Sequence, residues 1–288
     1  MVPIDDKSIG RGYSLKEEFL VNDNQIFQVK QKVQRLLDEG KKINLVGKFT
    51  QDDIINIIKQ LLHTAKQLYG HLKGTKKLQI LLTGGSGDFT ILLNAEPRPQ
   101  VIPEMSITQS YYQSLDLNVK SNNYLVRTYM ASESRSRGGY IAIEQDKEGY
   151  LLEGSMATVA VLLKNGDFII PPFERILSGT TAIKIMDFLE KEVIPNSDRY
   201  FDGNENYIKK IVRREILVQE CKDQGVEAMF LGGEECVPLL EWDGHILGEE
   251  KGPAATLFQE YLRSFLQKEE LELDEGRRIL VDYDNYQI

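Results

Sequence analysis

Three short strings bring together residue types that can do chemistry: Asn118-Val119-Lys120-Ser121-Asn122-Asn123-Tyr124, Glu153-Gly154-Ser155-Met156-Ala157-Thr158 and Leu177-Ser178-Gly179-Thr180-Thr181. Lys120 sits at the end of an apolar run containing Leu115, Leu117 and Val119. Partial removal from water there favours a neutral amine able to attack a carbonyl carbon. Glu153 is the only acid between Leu151 and Leu163, in a segment patterned as buried strand, and an isolated carboxylate among apolar strands is a candidate for a specific polar contact. Gly179, Thr180 and Thr181 stand where a helix is expected to begin, so backbone N–H groups and two hydroxyls face one anion-sized spot. Each feature also has a plain structural reading: a surface lysine, a strand-end acid, a helix cap.

The elements that position these strings follow from the pattern around them. Residues 17–29 read as a hairpin turning at Asn22-Asp23-Asn24, and a helix is expected over about 28–39, stopped by Gly40. Thr50 and Asp53 form a capping-box pair ahead of a helix with Ile54, Ile57, Ile58, Leu61 and Leu62 on one face. The glycines of Thr83–Phe89 follow the strand Leu78–Leu82, but a second β-prone run comes next, so the segment reads as a turn between strands and not as a nucleotide-phosphate loop. Pro97, Pro99 and Pro103 stiffen residues 94–104 and place a boundary near 105, which gives domains 1–105 and 106–288. Beyond it, a strand over Leu117–Lys120, a helix over about 122–136, strands at 140–143, 150–152, 158–163 and 168–170, and a final helix starting at Pro253 are expected.

Composition excludes several classes. The net charge of −9, from 35 basic and 44 acidic residues, repels nucleic-acid backbones and anionic membranes. Two cysteines, Cys221 and Cys236, and three histidines without a shared ligand spacing leave no metal site and point to a reducing compartment. The first residues have neither the cationic flank and apolar stretch of a secretion signal nor the Arg-Ser richness of a transit peptide, and no apolar run is long enough to span a bilayer. A cytoplasmic protein is expected.

In order and spacing the three strings, together with Arg35 in the helix after the first hairpin, resemble the class IV aminotransferases, the fold type IV group of pyridoxal-phosphate enzymes. Within that group the strings are most similar to plant D-amino-acid aminotransferase and aminodeoxychorismate lyase-like members, with branched-chain aminotransferase-like proteins also related. The resemblance implies an α+β fold with a small N-terminal α/β domain and a larger C-terminal β-barrel-like domain. It implies that Lys120 holds pyridoxal 5'-phosphate as a Schiff base and that Glu153 pairs with the ring nitrogen, keeping the ring an electron sink. Arg35, Gly179, Thr180 and Thr181 would bind the phosphate, Gly232 and Gly233 would add backbone donors, and Tyr124 would reach the ring oxygen. The implied activity is amino transfer between an amino acid, branched-chain or D-type, and a 2-oxo acid, in a homodimer. A 4-amino-4-deoxychorismate lyase is the alternative, and a degenerate member that binds cofactor or a protein partner without turnover is a further one. The chain departs from the family pattern at Lys16, where an aromatic residue is usual, at Thr158, where asparagine is usual, and at Ala182, where a basic residue is usual.

Overall fold

The computed structural model describes residues 6–45, 49–69, 74–83, 90–97, 106–108, 110–112, 119–201, 207–267 and 278–280. It divides into two compact units, Met1–Gln100 with Val119–Tyr124 and Lys268–Ile288, and Val101–Asn118 with Leu125–Gln267.

The first unit opens with a short helix, α1 (Lys7–Arg11), followed by the strands β1 (Ser14–Asn22) and β2 (Gln25–Phe27). Val21 lies opposite Ile26 and Asn22 opposite Gln25, so the expected hairpin turns through Asp23-Asn24, with Asp23 at φ 50°. The helices α2 (Val29–Lys42) and α3 (Gln51–Tyr69) precede the strands β3 (Thr75–Thr83) and β4 (Thr90–Pro97). A strand from the chain's far end, here numbered β15 (Arg278–Leu280), completes an antiparallel sheet in the order β15-β2-β1-β3-β4.

Alternation along β1 buries Leu15, Phe19 and Val21 against Val33 and Leu36 of α2 and Ile54 and Ile58 of α3, while Lys16 and Glu18 lie on the other face. The capping box forms as read: Asp53 accepts from the backbone N–H and hydroxyl of Thr50, and the Asp53 N–H returns a bond to Thr50 Oγ1. Gly40 does not stop α2. The helix continues to Lys42, and the glycine serves instead as the close-approach point for Leu45, whose carbonyl oxygen would lie 2.6 Å from an added Cβ.

Thr83 pairs with Thr90, so antiparallel strands flank residues 84–89, as the sequence implies; these residues, including Phe89, lie outside those described. Residues 94–97, expected in an irregular link, belong to β4; residues 98–104, with Pro99 and Pro103, lie outside those described.

The second unit holds β5 (Ser106–Thr108), β6 (Ser110–Tyr112), α4 (Leu125–Ser136), β7 (Ile143–Gln145), β8 (Leu151–Gly154), β9 (Thr158–Leu163), β10 (Asp167–Ile170), α5 (Thr180–Phe188), α6 (Ser197–Tyr200), β11 (Lys210–Arg213), α7 (Val218–Gln224), β12 (Gly225–Gly232), β13 (Glu235–Trp242), β14 (His245–Ile246) and α8 (Pro253–Gln267). Its larger sheet runs β11-β10-β9-β12-β13-β14 with β5 on β13, and β6-β7-β8 form a smaller one. Both are open; no closed barrel forms among the described residues.

All six residues of β9 are buried because its two faces serve two cores. Ala160 and Leu162 pack with Ala182 and Ile185 of α5 and Phe258 of α8, whereas Val159 and Val161 pack with Ile141, Phe230 and Trp242. This is why β9 reads as an unbroken apolar run instead of an alternating one. No described helix is long and apolar enough to cross a membrane.

Candidate active site

Lys120 is anchored in the first unit by its backbone. Its N–H donates to Glu39 Oε2 of α2 at 2.7 Å, and its carbonyl accepts from the Lys16 N–H of β1 at 2.8 Å. Ser121 bridges Leu15, the Asn122 N–H donates to the Ser14 carbonyl, and Val119 enters the core beside α2 and α3. The strand expected at Leu117–Lys120 is therefore not continued through Val119 and Lys120, which run irregularly because β1 and α2 satisfy their polar groups; Leu115, Leu117 and Asn118 lie outside the described residues.

Tyr124, expected within the following helix, precedes α4, and its ring lies under Lys16 Nζ at 4.8 Å. Lys16, at the position where an aromatic residue is usual, also pairs with Glu18 at 3.0 Å. Burial alone would raise the Glu18 pKa, but Lys16, the Gln79 amide and the charge of Lys120 outweigh it and hold the carboxyl down at about 2.

Arg35 projects from α2 into a bidentate pair with buried Glu17, at 2.7 Å from Nε and 3.0 Å from Nη2. This fork geometry fixes the guanidinium in place. Glu39, one turn further on, is pushed up to about 7, chiefly by burial, with Glu17 adding to the shift and Arg35 and the Lys120 N–H opposing it.

In the second unit the remaining candidates converge. The Gly154 N–H donates to the Ala157 carbonyl, closing a turn directly after Glu153. A Cβ on Gly232 would approach Ala157 Cβ to 3.0 Å, and one on Gly179 would approach Thr158 Oγ1 to 2.5 Å, so both glycines are required by the closeness of the 154–158 turn. Thr158 thus occupies the asparagine position with its hydroxyl against the start of α5. Gly179 is the N-cap of α5, with no side-chain cap bond. Thr181 Oγ1 accepts from the Glu234 N–H at 3.1 Å, which ties the glycine turn 232–233 to the first turn of the helix. Gly233 has φ +62°, and no described atom lies within 4 Å of where a side chain would begin.

Several participants carried no motif in the sequence. Arg127 of α4 bonds Glu153 Oε1 through Nη2 and Glu144 Oε1 through Nε at 3.0 Å. Glu144 is 2% exposed and Glu153 4%, so two acids share one guanidinium in a buried setting. Burial, more than the charge of Glu153, pushes Glu144 up to about 7 against the pull of Arg127. Lys184 pairs with Glu234 at 3.3 Å, both almost fully buried, and lies 3.4 Å from the Phe265 ring centroid, linking the glycine turn to α5 and α8. The available signals were acids and bases at core-facing positions: Glu144 ends the run Tyr140-Ile141-Ala142-Ile143, and Lys184 lies between Ala182 and Ile185.

Both cysteines are free and buried, with thiol pKa values raised mainly by burial. No group of acids, histidines and cysteines suited to a metal occurs among the described residues.

Residues 14–201 match the family model described as amino-transferase class IV. The chain is 23% identical over 280 residues to the D-amino-acid transaminase, chloroplastic, of Arabidopsis thaliana, covering 91% of this chain and 70% of that one. It is 21% identical over 280 residues to the D-alanine aminotransferase of Bacillus licheniformis, covering 93% of each. Its fold matches the branched-chain amino acid aminotransferase from Escherichia coli at a TM-score of 0.78 and 20% identity, over 98% of this chain and 94% of that one.

Proposed function

Because the chain belongs to the class IV aminotransferases, we propose that it moves an amino group from an amino acid of branched-chain or D-type to a 2-oxo acid, with pyridoxal 5'-phosphate as cofactor. The observation carrying this reading is the convergence of three strings distant in sequence: the 154–158 turn after Glu153, the start of α5 at Gly179–Thr181, and Gly232–Gly233. These residues fit a phosphate. A helix start without a side-chain cap, a glycine with open space at its Cβ position and a hydroxyl-bearing first turn are the donor set such an anion needs.

The cofactor supplies an electron sink for the carbanion left when an α-proton is removed. The chain's own residues do the rest. Gly179, Thr180, Thr181, Gly232 and Gly233 would bind the phosphate, and Arg35, held in place by Glu17, would add a further N–H donor. Glu153 would meet the ring nitrogen as a hydrogen-bonding carboxylate, and Tyr124 would donate toward the ring oxygen. Lys120 Nζ would anchor the cofactor, and its free amine would take the proton from the substrate α-carbon. Both free cysteines fit a reducing, cytoplasmic setting, and we take the working unit to be a homodimer.

The lyase reading, in which pyruvate leaves 4-amino-4-deoxychorismate, uses the same lysine and glutamate; the aminotransferase names of both relatives favour transfer. A panel of D- and L-amino acids with pyruvate or 2-oxoglutarate, run beside 4-amino-4-deoxychorismate, tests the reading. Amino transfer supports it. Pyruvate release without an acceptor replaces it with the lyase, and a silent panel from cofactor-loaded protein replaces it with a binder.

A further inference from the structure

Arg127, Glu144 and Glu153 raise a question of charge at the place where Glu153 is read as the partner of the cofactor ring nitrogen. A carboxylate holds a proton on a neighbouring pyridine nitrogen by its negative charge. Arg127 bonds that carboxylate, however, and a carboxylate–guanidinium pair is neutral overall. Such a pair attracts a third charge much less than a lone carboxylate does.

The same guanidinium holds a second acid. Glu144, on the strand β7 paired to β8, meets Arg127 Nε at 3.0 Å, and its other oxygen, Oε2, is buried with no hydrogen-bond partner among the described residues. A buried oxygen left unpaired is costly, and its retention points to a further task for the group. Two acids on one base leave a single negative charge when both are ionised.

We infer that Arg127 and Glu144 are positioning residues for Glu153: Arg127 fixes the orientation of its carboxylate, and Glu144 restores the negative charge that Arg127 cancels, so that the trio together keeps the ring nitrogen protonated. The inference rests on the reading of Glu153 given above and adds two residues to which the family resemblance assigns no role. It makes the charge of the trio, and not Glu153 alone, the quantity that sets electron withdrawal.

The test uses full-length protein loaded with pyridoxal phosphate labelled with 15N in the ring, read by nitrogen NMR, with kcat and KM measured alongside. At about pH 8.5, above the value of about 7 to which burial raises Glu144, both acids are ionised and the wild-type ring nitrogen should be protonated. Glu144→Gln leaves the neutral Arg127–Glu153 pair; its nitrogen signal should shift toward the unprotonated form, with kcat down by about tenfold or more and KM within about threefold. Glu144→Leu should behave alike and serves if the glutamine variant does not fold.

The deciding arm is the double variant Arg127→Gln/Glu144→Gln. It restores a lone carboxylate at Glu153 and should return the nitrogen signal to the wild-type position, a rescue that loss of packing alone cannot produce. A wild-type nitrogen signal in both single Glu144 variants, or no return in the double variant, overturns the inference while leaving cofactor binding intact. Wild-type protein that takes up no pyridoxal phosphate overturns the underlying reading of Glu153 and this inference together.

Discussion

Glu39 Oε2 accepts the backbone N–H of Lys120 at 2.7 Å across 81 residues of sequence. The lysine's main chain is therefore tied to α2, the helix that also carries Arg35. A fully buried donor that loses its acceptor costs about 1–3 kcal/mol, and this half-buried one costs at most that. Glu39→Ala should lower unfolding stability by up to that amount and increase hydrogen exchange at the Lys120 amide, whereas Glu39→Gln, which keeps a carbonyl acceptor, should lose less. Unchanged stability and exchange in Glu39→Ala would show that the bond does not hold Lys120.

The pH dependence of stability has a definite sign. Glu39 and Glu144 both titrate near about 7 in the folded chain against an ordinary value of 4.5. Between those values the folded state binds more protons than the unfolded one. Their contribution is fully present below pH 4.5 and is lost as pH rises through about 7. Glu18, held down at about 2, acts oppositely: its contribution is present above 4.5 and is lost as pH falls through about 2. Urea midpoints measured from about pH 4.5 to 8 should fall with pH in wild type and fall less steeply in Glu39→Gln/Glu144→Gln. Equal slopes would count against both shifts.

Gly40 gives a packing test. A methyl group there would lie 2.6 Å from the Leu45 carbonyl oxygen, a backbone atom with little room to give. The steric cost should outweigh the better helix propensity of alanine, so Gly40→Ala should destabilise the first unit by about 1–3 kcal/mol. A neutral or stabilising effect in thermal unfolding would contradict the geometry.

Local pattern made part of this molecule readable in the sequence. The Thr50–Asp53 cap, the hairpin about Asp23-Asn24 and the strand 158–163 depend on neighbours in the chain or on simple periodicity, and they formed as read, except that Asn22, expected in the turn, ends β1. The position of Val119–Tyr124 was not readable, because its bonds run to β1 and α2, far earlier in the chain. Gly40 misled because a glycine required by a tertiary contact looks identical to one that ends a helix. The strings 153–158 and 177–181 were visible as motifs. Arg127, Glu144 and Glu39 were not, since their importance lies in which acids share which base, and sequence spacing does not record it.

Lys120 as the cofactor's anchor is tested most directly by borohydride reduction of protein incubated with pyridoxal phosphate, followed by peptide mass analysis. A cofactor-derived mass is predicted on the peptide containing Lys120, lost in Lys120→Ala while some phosphate affinity persists through Gly179–Thr181. Labelling of another lysine, or of none, would contradict it.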